Sequence, residues 1–201
     1  MVDLASLINK FQSANNREND VASFQAHVPW VAPDAYLNVI FKPAPRDVLS
    51  DVGTRMKIPT PVLELLARNN GAHLFSSSLH LYGVVRQGHL LRRSEPFSLP
   101  PFNIESENQN WPPPDRARLL KTGGYGFDGS GVCIDRQDLQ IRVFRRGEKT
   151  PYCSWSNLDV WLNSEIPRLS EFFDTTGRRG VEESKTRLPG TSLKVSDSRL
   201  S

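Results

Sequence analysis

Thr60-Pro61-Val62-Leu63-Glu64-Leu65-Leu66-Ala67-Arg68-Asn69-Asn70-Gly71, followed seven residues later by Leu79-His80-Leu81-Tyr82-Gly83-Val84-Val85, decides how the chain is read. Thr60 is a good N-cap, and Pro61 suits the first helical position, where a missing N–H costs nothing. Val62, Leu65 and Leu66 form one buried stripe. Asn69-Asn70-Gly71 stops the helix, because Asn and Gly tolerate the left-handed conformation that closes one. Leu79 to Val85 then reads as a strand, with Leu79, Leu81 and Gly83 alternating against His80, Tyr82 and Val84.

Working back toward the N-terminus, Arg46 to Met56 carries Val48, Leu49, Val52 and Met56 on one helical face. Tyr36 to Phe41 is rich in β-formers and bounded by Asp34 and Pro43, so it reads as a strand. Asp3 to Ala14 spaces Leu4, Leu7, Ile8 and Phe11 at i, i+3, i+4, i+7, with Asp3 as cap, and the polar run Asn15 to Asp20 ends it.

Toward the C-terminus, six prolines between Arg93 and Pro114 predict a loop, with Trp111 an unusual residue to leave in it. Strands are expected at Leu119 to Phe127, Val132 to Asp135 and Gln140 to Arg145, the first two joined by Asp128-Gly129-Ser130-Gly131. Ser156 to Asp159 has capping-box spacing and opens a helix with Leu158, Trp161, Leu162 and Ile166 on one stripe. Pro167 is expected to kink or end it, with a short continuation to Phe173. Beyond Asp174 aromatic residues vanish, and the composition predicts a disordered tail over 174–201.

Composition bounds the function. With 201 residues, 38% hydrophobic residues and a mean hydropathy of −0.44, the chain can form one domain with a substantial core. No apolar stretch is long enough to span a bilayer, and Leu4 to Phe11 is too short and polar for a signal peptide, so a cytoplasmic protein is expected. Of the net charge of +3, the last segment contributes two: Arg178, Arg179, Lys185, Arg187, Lys194 and Arg199 against Asp174, Glu182, Glu183 and Asp197. The rest is close to neutral, so a sequence pI near 9.0 does not by itself point to nucleic acid. Cys133 and Cys153 have no CxxC spacing and read as free thiols packed on strands; His27, His73, His80 and His89 do not pair with them as zinc ligands would.

Each apparent chemical motif has a plainer reading. Gly124-Tyr125-Gly126-Phe127-Asp128-Gly129 matches GxGxxG but is followed by a strand-like segment rather than a helix, which excludes a dinucleotide fingerprint. Asp128, Ser130 and Asp135 lack the density of acids that a calcium loop needs, and Asp128-Gly129 is a favoured hairpin pair. Cys133 lies between Val132 and Ile134, which suits packing better than nucleophilic catalysis. The basic clusters Arg86 to Arg93 and Arg142 to Lys149 read as solvated faces or as surfaces for an acidic partner. Trp30, Trp111 and Trp155 lie in or beside irregular segments, where tryptophan either tucks under a loop or anchors an interface.

Taken in order, these pieces resemble the SUKH superfamily. Ile58-Pro59, the helix with Leu65-Leu66, Asn69-Asn70-Gly71 and Leu79 to Gly83 are similar to its Pro-started helix ending in Asn-Gly and its strand ending in an aromatic-Gly pair. Phe127 to Asp135 is similar to its glycine-containing hairpin, and the strand around Val143 and the helix with Trp161-Leu162 complete the order over Arg46 to Arg168. The resemblance implies a single α+β domain with a central, mostly antiparallel sheet flanked by helices. It implies no catalytic site, and the motifs weighed above point to no cofactor and no metal; residues 1–44 lie outside the resemblance and read as an N-terminal extension, helix plus strand, packed on a domain at 45–173. Many members are bacterial immunity proteins that bind a toxin, and one relative is a fungal regulator of cell-wall synthesis acting through protein contacts. An immunity-type protein or a regulatory adaptor is therefore expected, with a protein partner and neither membrane nor nucleic acid. Trp111, Tyr82 and Asp128 are the nominated partner-binding residues. Inhibitors of basic nucleases are typically acidic, and this chain departs from that pattern.

Overall fold

The computed structural model describes residues 4–8, 11, 16–85 and 100–181. Among these residues nine strands form one sheet: β1 (Arg17–Glu18), β2 (Ala22–His27), β3 (Tyr36–Phe41), β4 (Ala72–Leu74), β5 (Leu79–Leu81), β6 (Leu119–Tyr125), β7 (Gly131–Asp135), β8 (Ile141–Phe144) and β9 (Cys153–Trp155). Their spatial order is their sequence order, and every neighbouring pair is antiparallel. Five helices among the described residues complete a mixed α+β fold: α1 (Leu4–Leu7), α2 (Arg46–Met56), α3 (Thr60–Leu66), α4 (Ile104–Asn110) and α5 (Leu158–Ser170). None is long and apolar enough to cross a membrane.

The expected helix over Asp3 to Ala14 is described only as Leu4–Leu7; Leu4, Ile8 and Phe11 are buried, and residues 9–10 and 12–15 lie outside the described ones. α2 and β3 have the bounds read from their patterns. α3 starts as expected, but Pro59 stands at the cap and no side chain bonds there; Thr60 is already helical. α2 and α3 together connect β3 to β4.

The stop after α3 is an interlock. The Asn70 side chain pairs with the Val84 backbone as a strand would, its Oδ1 accepting from Val84 N at 2.7 Å and its Nδ2 donating to Val84 O at 2.8 Å. Gly71 has φ +86°, and a Cβ there would lie 2.5 Å from the Leu81 carbonyl oxygen; one on Gly83 would lie 2.3 Å from that of Asn70. Two glycines and an asparagine therefore let the helix end and the strand end pass at backbone distance. This is also why β5 stops at Leu81, short of the expected Val85: Gly83 turns to bridge Asn103 instead.

The Arg93 to Pro114 loop needs correction. Residues 86–99 lie outside the described ones, but Ile104–Asn110 is helix α4, opened by Asn103, whose side chain accepts from Glu105 N at 2.9 Å. The prolines flank this helix and do not interrupt it.

α5 opens with Asn157 rather than Ser156, the Asn157 Oδ1 accepting from Val160 N at 2.9 Å. It continues through Pro167 to Ser170 before ending. The chain then turns at Asp174, whose Oδ1 accepts from the backbone N–H groups of Thr176 and Arg178, and Phe173 bridges Arg179. Residues 182–201 of the expected tail lie outside the described ones.

α5 covers the principal core, to which Trp161, Leu162, Ile166, Val132, Ile134, Ile141 and Val143 belong. Beneath it the Tyr125 hydroxyl accepts from Trp161 Nε1 and donates to Glu165 Oε2, both at 3.0 Å, and Arg168 grips the same carboxylate at 2.8 Å. Arg136 clips the other side of the domain, donating to the carbonyls of Met56 at the end of α2 and of Leu119 at the start of β6. Trp155 packs half-buried against the principal core, whereas Trp30 is 45% exposed under the Arg178 guanidinium.

Candidate functional site

The site grows from the β6–β7 hairpin. Along β7, Val132 and Ile134 enter the principal core, so Cys133 faces the other side of the sheet, where it packs with Leu119 and Phe144. On β6, Leu120 and Tyr125 both enter the principal core although they lie five positions apart, which strict alternation would put on opposite faces. A bulge between Lys121 and Gly123 makes this possible by adding one residue to the alternation. Lys121 therefore stands opposite Cys133 on the second face, beside the bulge.

Lys121 is only 4% exposed. Asn108 of α4 brackets its backbone, accepting from Lys121 N at 2.9 Å and donating to Lys121 O at 2.8 Å, in place of a neighbouring strand. Its ammonium lies 3.4 Å from Glu107 Oε2, 4.5 Å from the Trp111 ring centre and 5.3 Å from that of Tyr82. Burial pulls the Lys121 pKa below its ordinary value, against the opposing pull of Glu107. Burial likewise pushes the Tyr82 hydroxyl up, reinforced by Glu107, and pushes the Cys133 thiol up to about 12. A thiol so placed is a poor nucleophile at neutral pH, and the groups acting on its charge are Lys121 and Arg136 rather than a histidine.

Trp111 ends α4 and stands half-buried at the groove wall. The Arg146 guanidinium lies 4.1 Å from its ring centre, so the indole contacts two cations. The β6–β7 turn abuts the same ring: a Cβ at Gly129 would be 3.6 Å from Trp111 Cη2. Exposed Asp128 shapes that turn by accepting from Ser130 N at 2.8 Å. An open groove of about 210 Å³ results, walled by Trp111 and prolines 112–114 on one side and by residues 144–149 on the other, with Lys121 and Cys133 in its lining.

The structure thus brings Trp111 and Tyr82 to one lysine and leaves Asp128 in the adjoining turn. Trp111 faces the groove, Asp128 is exposed in the adjoining turn, and Tyr82 is 7% exposed behind Lys121. Sequence reasoning missed Lys121, Glu107 and Arg146 as members of the site. A lysine inside the apolar and glycine-rich run Leu119 to Phe127 was the available signal for the first. Arg146 belongs to the Arg142 to Lys149 cluster; the Arg86 to Arg93 cluster and His89 lie outside the described residues.

Two further polar clusters are structural. Asp135 is fully buried; burial would raise its pKa, but the Gln137 N–H and the guanidinium groups of Arg118 and Arg142 hold it low. Its arginine partners explain it without a metal ion. Of the expected hairpin residues, Asp128 and Ser130 bond each other's loop, and the GxGxxG run is strand and turn. No group of three or more His, Cys, Asp or Glu among the described residues is placed to hold a metal ion.

No family model matches the chain, and no curated protein matches its sequence.

Proposed function

We propose that the chain is a SUKH-type protein-binding domain, an immunity-type protein that neutralises a cognate bacterial toxin by occluding it through direct contact. The observation that carries the reading is Trp111, a large half-buried aromatic held at a groove wall by Lys121 and Arg146 on a rigid sheet. Anchors of this kind, pre-ordered and partly desolvated, carry a disproportionate share of binding energy in protein interfaces. The antiparallel sheet supports the same reading, as does the interlock of Asn70, Gly71 and Gly83, which gives the resembling residues a structural reason to occur together. A regulatory adaptor of the same fold is the second reading; the near-neutral body of the chain favours it, since inhibitors of basic nucleases are typically acidic.

The test is affinity capture from the source cell with wild-type and Trp111→Ala protein, read by mass spectrometry. A protein retained by the first and lost by the second is expected. If that protein is encoded beside this chain and its toxicity is relieved on co-expression, the immunity reading holds; relief absent, the adaptor reading takes its place. Retention of no protein by the wild type would overturn both.

A further inference from the structure

We infer that the Trp111 groove binds an acidic segment of a partner protein, a carboxylate docking on Arg146 while an apolar neighbour lies along Trp111 and the prolines. This rests on the protein-binding reading above and names the chemistry of the partner at the same site. Four cations line the groove, Lys121, Arg145, Arg146 and Lys149, against one carboxylate, Glu148. Their partners are unevenly distributed. Lys121 is matched by Glu107 at 3.4 Å, and Arg145 approaches Glu148 only at 3.8 Å, with both side chains about half exposed. Among the described residues, neither Arg146 nor Lys149 has a carboxylate partner at all.

Arg146 is also pre-positioned. Its guanidinium rests against the indole at 4.1 Å, which limits its rotamers and leaves its N–H fork for an incoming oxygen pair. Trp111 cannot turn freely in response, because Lys121 and the Gly129 turn hold the rest of its ring. A carboxylate arriving here therefore meets an ordered fork, and the ordering entropy has already been met in folding. The prolines 112–114 supply apolar surface beside it with no backbone donors of their own.

Charge and size favour a peptide over nucleic acid. A phosphate backbone needs several cations along a track to gain from counterion release, and this chain is close to neutral outside its last segment. A groove of about 210 Å³ accommodates a few side chains, not a stacked strand of bases. Exposed Glu148 in its lining would repel a continuous polyanion but tolerate a peptide whose acids are spaced.

Fluorescence anisotropy with three labelled peptides tests this on the full chain: one alternating Glu with Leu, one with Gln for Glu, and one with Lys for Glu. A single-stranded oligothymidylate of similar length is the fourth probe. The Glu peptide is expected to bind at least about tenfold more tightly than the Gln peptide, the Lys peptide not to bind, and added salt to weaken the complex. Arg146→Ala should cost about tenfold and Lys149→Ala less, with circular dichroism unchanged, since both residues are exposed. Tighter binding of the oligothymidylate, or equal binding of the Glu and Gln peptides, would overturn the inference. The two readings separate cleanly: a cellular partner captured equally by wild type and Arg146→Ala sinks the acidic groove alone. Glu-peptide binding with no cellular protein captured overturns both protein-partner readings and leaves only the groove's preference for acidic peptides.

Discussion

His73 and His80 sit directly opposite each other on β4 and β5, with their Nδ1 atoms 2.8 Å apart. One ring must donate and the other accept, so at most one of these two nitrogens carries a proton in the pair. The rings are enclosed edge-to-face by Phe41 and Phe102, and His73 also reaches the Pro100 carbonyl at 3.4 Å.

Acid should therefore weaken the fold through these rings. Burial, then repulsion from His73, lowers the His80 pKa from 6.5 to about 4, and burial lowers that of His73. The unfolded chain binds more protons than the folded one between these values, so stability is fully present above pH 6.5 and falls as pH drops toward about 4. Urea midpoints for wild type and His80→Asn should converge on acidification. Parallel curves across that window would show that the pair does not titrate in this way.

Removing Arg168 strands a charge. Glu165 is 2% exposed, and its carboxylate accepts from Arg168 and from the Tyr125 hydroxyl. Arg168→Ala should cost about 3 kcal/mol, and Tyr125→Phe about 1–3 kcal/mol, since the latter also leaves Trp161 Nε1 without its acceptor. Chemical denaturation of both variants measures this; a loss below about 0.5 kcal/mol for Arg168→Ala would mean that water replaces the guanidinium.

The Lys121–Glu107 pair should behave asymmetrically. Lys121→Met removes the buried cation and keeps the volume, so stability should change by less than about 1 kcal/mol. Glu107→Gln instead leaves the ammonium between two rings without its carboxylate, at an expected cost of about 2 kcal/mol. Thermal unfolding of the two single variants decides the order, and a larger loss for Lys121→Met would reverse it.

The β4–β5 turn should tolerate glycine better than its own residues. Phe75, Ser76 and Ser77 all have positive φ, at 57°, 52° and 67°. Left-handed backbone costs an L-residue about 1 kcal/mol or more, so Ser76→Gly should raise the denaturation midpoint, by up to about 1 kcal/mol after the added entropy of the unfolded chain. A lowered midpoint would indicate that the serine side chain holds the turn.

That turn also shows where the sequence stopped being legible. β4 and the hairpin it forms were not expected, because Phe75-Ser76-Ser77-Ser78 contains none of the Gly, Asn or Pro that normally marks a turn. Tertiary packing imposes it: the Phe75 ring is fully buried between Phe11 and Phe173, and the buried Asn38 side chain accepts from its N–H at 3.0 Å. β2 was missed for a related reason. Ala22 to His27 alternates apolar and polar residues but holds no β-branched one, and pairing with β3 is what makes it a strand. By contrast α2, β3 and the β6 to β8 region were readable, because local period and turn chemistry agree there. In the site, Trp111 was visible as a residue out of place and Asp128 as a turn residue, whereas Lys121 depends on a bulge that no local pattern announces.

The sequential order of the sheet bears on how the chain is made. Each strand leaving the ribosome pairs with the one synthesised just before it, so the sheet can grow vectorially, with loop-closure entropy confined to neighbouring segments. Contacts outside the sheet span more of the chain, among them Arg136 with the end of α2 and α1 with α5. Until α5 is released, Val132, Ile134 and Tyr125 lack their cover, and that final docking is the step at which a nascent chain commits to its native state.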